Sequence, residues 1–99
     1  MPEEMDVQIV KAARGVLARH KVDTQKLKFR SISGGLHLRG IFMPLGMEEV
    51  PSDPQGYAKF VKLMRVVDGE LRGVQRVKSL NVDFDGWEKV GMEWKRTKE

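Results

Sequence analysis

The sequence predicts a single α+β domain in the order αββαβ, a three-stranded sheet with two helices packed on one face. Three observations predict it. Apolar residues recur at helical spacing over residues 3–21, and again after Asp53-Pro54. Between these segments, two runs alternate apolar with basic residues on either side of Gly34-Gly35. A further alternating run, Leu80, Val82 and Phe84, follows the second helical pattern. Ninety-nine residues hold one core and leave no room for a second.

In residues 3–21, Ile9, Val10, Ala13, Leu17 and His20 share one helical face, opposite Lys11, Arg14 and Lys21. Glu3, Glu4 and Asp6 occupy the end where the helix dipole favours acids. Gly15 costs about 1 kcal/mol relative to alanine inside a helix, which predicts the close approach of another element. In "KLKFRSIS" (26–33), Leu27 and Phe29 alternate with Lys26, Lys28 and Arg30. In "LHLRGIF" (36–42), Leu36, Leu38 and Phe42 alternate with His37, Arg39 and Ile41. Two such runs around a glycine turn make a β-hairpin, and one register turns the leucines inward and the bases outward.

Residues 43–56, with three prolines and two glycines, read as a loop. Asp53 then caps a helix that Pro54 opens, and Tyr57, Phe60, Val61, Met64, Val67 and Leu71 form its apolar stripe. Residues 60–72 also fit strand, Asp-Gly turn, strand; the helix is the preferred reading. Gly73 ends it. Residues 1–86 thus form the domain. Residues 87–99 read as a polar C-terminal tail that adds little core, with Trp87, Val90 and Trp94 making at most one apolar edge.

This order and these residues resemble the BON domain, a small bacterial αββαβ binding module. The resemblance covers about residues 6–84. Residues 7–42 are similar to the family's first helix and first strands, with the apolar-x-apolar-x-Gly pattern carried by Leu36, Leu38 and Gly40. "AKFVKLM" stands where the second helix belongs, and Gly73, Val74 and Val77 match a Gly-Val-x-x-Val signature before the last strand. Three features depart from the family's pattern: the long, proline-rich loop at 43–56, the extra "VVDGEL" before Gly73, and the lack of the export signal common in the family. The resemblance implies a non-catalytic module associated with phospholipid surfaces or membrane assemblies, and it carries over no catalytic residue.

Composition narrows the chemistry. The chain is 40% hydrophobic and 32% charged, ordinary for a globular domain. It has no cysteine, which excludes thiol catalysis, cysteine-ligated zinc and disulfides. The acidic "MPEEMDVQ" is no secretory signal, and the longest apolar run ("IFMPL") spans no membrane. A full-length chain of this kind is expected in the cytoplasm, and a processed or excised domain in association with the envelope. His20 and His37 lack metal-ligand spacing, and no metal or cofactor is expected. Asp83 and Asp85 share a strand face but read as solvated acids. Ser31, Ser33, Ser52 and Ser79 have no catalytic context, and "SGGLHLRG" lacks phosphate-loop spacing. No enzyme is expected.

The net charge of +4 is unevenly placed. Residues 26–43 hold Lys26, Lys28, Arg30 and Arg39 and no acid, whereas residues 44–56 hold Glu48, Glu49 and Asp53 and no base. The open sheet face carrying Lys26, Lys28, Arg30, His37 and Arg39 is therefore the candidate binding site, with an anionic phospholipid surface as leading partner. Trp87 and Trp94, beside Lys89, Lys95 and Arg96, are candidate membrane anchors. Protein interaction or homodimerisation is the alternative, through sheet edges or the acidic loop of a second copy. Nucleic acid ranks lower, because the outward face has no aromatic platform for bases.

Overall fold

The structure is a computed structural model and describes residues 4–91 and 93–97. Helix α1 (Glu4–Arg19) leads through a short 3-10 turn to strands β1 (Leu27–Ile32) and β2 (Gly35–Gly40). Helix α2 (Pro54–Arg72) follows the long loop, then β3 (Ser79–Phe84), β4 (Trp87–Val90) and β5 (Glu93–Arg96). The expected αββαβ order is present, and residues 60–72 are helix throughout.

Strand β2 lies in the middle of the sheet. It pairs antiparallel with β1 through the hairpin and parallel with β3, which returns after α2. A parallel partner requires a crossover connection, and α2 supplies it. Alternation then sorts the side chains. Leu27, Phe29, Ser31, Leu36, Leu38 and Phe84 face the helices and are buried or partly buried, while Lys28, Arg30, His37, Arg39, Asn81 and Asp83 are exposed. The helices supply Ile9, Ala13, Val16 and Leu17 from α1 and Phe60, Met64, Val67 and Leu71 from α2. These residues recur at spacings of three and four, as an amphipathic helix over a sheet requires.

The hairpin turns one residue earlier than the glycine pair suggests. Ile32 pairs with Gly35, so Ser33 and Gly34 form the two-residue loop, at φ 49° and 88°. Positive φ at both positions is the I′ pattern, whose twist matches that of the strands. Asp6 fixes this turn to α1. Its Oδ1 accepts from Ser31 Oγ (2.7 Å) and Gly34 N (2.9 Å), and its Oδ2 accepts from Ser33 N (3.0 Å). The bond from the Gly34 amide, then that from Ser31, holds the Asp6 carboxyl below its ordinary pKa. Helix α2 starts as expected: Asp53 accepts from Gly56 N at 2.7 Å, and Pro54 sits in the first turn.

Two expectations are corrected. Gly15 is exposed, and a Cβ there would meet nothing within 4 Å, so no element approaches it. The close approach occurs at Gly40 instead (φ 129°), where a Cβ would lie 2.4 Å from the Lys26 carbonyl oxygen. The C-terminal segment is also not a polar tail. β4 and β5 pair as a second hairpin, and Trp87 and Trp94 are 7% and 5% exposed. Trp87 stacks on Phe60 (5.7 Å between centroids) and Trp94 on Phe84 (5.2 Å), with Phe42 touching both Phe60 and Phe84. Polar residues in β4 and β5 face solvent while two large rings enter the core.

Candidate functional site

The outer sheet face is built by register. Lys28 lies opposite Arg39 and Arg30 opposite His37, which places four basic or titratable side chains on two adjacent strands. Opposed residues on paired strands approach within about 4.5–5.5 Å at Cα. Lys28, Arg30, His37 and Arg39, together with Phe29 and Ile32, line a shallow depression of about 530 Å³. Lys26 joins at one end, in an adjoining depression shared with Lys28, Arg39, Gly40 and Asp85. All five residues of the expected site therefore occupy one continuous surface.

Among the described residues, none of the five forms an ion pair. The ion pairs lie elsewhere: Arg19 with Glu70, which also hydrogen-bonds His20 and joins the end of α1 to α2, and Arg72 and Lys89 with Asp68. Hydrogen bonds from His20 and then Arg19 hold the Glu70 carboxyl below its ordinary range. His20 is thus a tie between helices. Two acids border the basic face. Asp83 pairs across from Arg39, and Asp85 stands beside Lys26 and Lys28, its backbone amide donating to the Gly40 carbonyl (2.7 Å). They set a boundary on the β3 side, and with Asp83 on a strand and Asp85 in a turn they form no paired acid site.

The anchor residues separate. Trp87 and Trp94 are core side chains, so their rings do not project toward a bilayer as the anchor reading requires. Trp87 packs against Phe60 and Tyr57, and Trp94 against Phe84. Lys95 and Arg96 are exposed on β5, and the Arg96 guanidinium lies 5.7 Å from the Trp87 ring centroid. Lys89 is committed to the buried Asp68, with a side chain only 20% exposed. None of these residues borders the basic face.

One surface residue was absent from the expected site. Ile32 is 53% exposed and lines the same depression as Arg30 and His37. Its place two residues beyond Arg30 in an alternating strand is the signal that puts it outside. Among the described residues there is no cluster of three or more metal-ligating side chains, and no helix is long and apolar enough to cross a membrane. Compared with known proteins, the chain matches no family model, no curated protein and no solved structure.

Proposed function

We propose that this protein is a non-catalytic binding module whose open basic sheet face contacts anionic phospholipid surfaces. The observation that carries the reading is the position of Lys26, Lys28, Arg30, His37 and Arg39 on one uncovered face, none of them in an ion pair among the described residues and with acids, Asp83 and Asp85, only at its border. Each base near an anionic bilayer contributes about 1 kcal/mol, so the patch gives weak binding that salt suppresses. Ile32 supplies an apolar contact at the turn end of the face, next to Arg30 and His37. The resemblance to the BON domain supports the same reading. Among the described residues the rings lining the depression are the His37 imidazole and the partly buried Phe29, with no tryptophan or tyrosine, which favours lipid phosphate over single-stranded nucleic acid.

Co-sedimentation with phosphatidylglycerol vesicles tests it. The wild-type chain is expected to pellet with anionic vesicles at low salt and not with phosphatidylcholine vesicles. R30E/R39E is expected to bind at least about tenfold more weakly, since two favourable terms of about 1 kcal/mol each become repulsive. Equal binding of the wild type and R30E/R39E would overturn the reading.

A further inference from the structure

We infer that the acidic loop of one copy docks on the basic sheet face of a second, joining copies head to tail. This inference is independent of lipid. It starts from the separation of charge on the surface. Residues 40–58 contain Glu48, Glu49 and Asp53 and no base, directly after a hairpin whose outward bases have no acid within their own segment. Asp53 is engaged at the start of α2, but Glu48 and Glu49 are exposed and form no ion pair among the described residues.

The start of the loop is tied to the segment that follows α1. Val22 bridges to Pro44, Leu45 N donates to the Lys21 carbonyl (2.8 Å), and Asp23 N donates to the Met43 carbonyl (2.9 Å). These bonds pin the loop next to the end of α1, the helix that covers the opposite face of the sheet. The start of the loop is thus pinned, and neither its glutamates nor the bases of the sheet face form an ion pair among the described residues.

The two surfaces also match in their apolar parts. Leu45 is 62% exposed and Met47 37%, immediately before the two glutamates. On the sheet face, Ile32 is 53% exposed in the depression bordered by Arg30 and His37. A loop with two apolar side chains followed by two acids fits a depression with an apolar residue among bases, and opposite potentials fix its orientation. With the loop tied near the end of α1 and the bases on the opposite side of the sheet, one contact leaves a free loop on one copy and a free face on the other, so the contact is heterologous and closes into rings or extends into chains.

Sedimentation equilibrium of the whole chain, without lipid, tests this. At about 50 mM salt the weight-average mass is expected to rise above the 11.3 kDa monomer with concentration, and at about 500 mM salt to return to it, as screening shortens the range of charge attraction. E48K/E49K and R30E/R39E change exposed side chains only and are each expected to be monomeric. Their equimolar mixture is the decisive sample. E48K/E49K retains an intact sheet face and R30E/R39E an intact loop, and the two reversed surfaces are again opposite in charge, so the mixture is expected to associate where neither variant does alone. A wild-type chain that stays monomeric at low salt, a mixture that does not associate, or self-association that survives E48K/E49K would each overturn the inference. Because no vesicle is present, these outcomes are separate from those of the phospholipid test.

Discussion

At the scale of single residues, Asp6 shows how a side chain with an obvious local role can have a larger one. Its place in the first turn of α1 suits the helix dipole, yet its carboxylate also closes the Ser33-Gly34 turn with three hydrogen bonds. The sequence holds a signal for this: Asp6 stands three residues before Ile9 and seven before Ala13, on the buried stripe. Nothing in the sequence indicates which turn it meets, because the partner is 25–28 residues away. A carboxyl whose pKa is depressed in the folded state stabilises above its unfolded pKa, and that stabilisation is lost as pH falls through the folded value. Asp6 and Glu70 both act in this direction, so the wild-type chain is expected to lose stability below about pH 4. Thermal unfolding followed from pH 7 to pH 2.5 is expected to show a lower midpoint for Asp6→Asn at neutral pH and a shallower acid decline; an unchanged decline would remove Asp6 from this role. The glycines divide equally sharply. Gly15→Ala meets open space on an exposed helix face and is expected to stabilise by about 1 kcal/mol. Gly40→Ala places a methyl group against the Lys26 carbonyl at positive φ and is expected to destabilise, both effects being measured by urea unfolding.

At the scale of elements, the strands and helices follow from period alone. Alternation in residues 26–42 and helical spacing in 54–72 were legible because each face meets either core or water. The last two strands were not. In "WEKVGMEWKR" each tryptophan is separated from the next apolar residue by charged ones, so a local window reads as polar. Its stability comes from outside the segment, from Phe60, Phe84 and the ion pair between Lys89 and Asp68. Such tertiary rescue leaves little trace in local sequence. Trp94→Ala is expected to destabilise the whole domain by about 3–5 kcal/mol, as removal of a large buried ring does, and urea unfolding measures it. The tryptophan emission of the native chain is expected to be that of buried rings and to stay unchanged when anionic vesicles are added. A blue shift on adding vesicles would return Trp87 and Trp94 to the anchor role from which their burial removes them.

At the scale of the whole molecule, the proposed function rests on which sheet face is left uncovered. Two helices suffice to bury one side of three strands, and register then commits the bases of β1 and β2 to the other side together. The five candidate residues were legible in advance because alternation fixes facing before any tertiary contact is known. A partner for them was not legible to the same degree, since phosphate of any origin presents similar chemistry to a basic patch. The acids at the border, Asp83 and Asp85, were likewise visible as residues but not as a boundary, because their position depends on a parallel pairing made across α2. The most direct measurement is an amide NMR titration with phosphatidylglycerol vesicles at low and at physiological salt. Phosphatidylcholine vesicles and a short single-stranded RNA serve as controls. Signal loss centred on Lys28, Arg30, His37 and Arg39, with anionic vesicles only and weaker at the higher salt, is the predicted result. No change at these residues, or an equal response to neutral vesicles, would contradict the proposed role of the basic face.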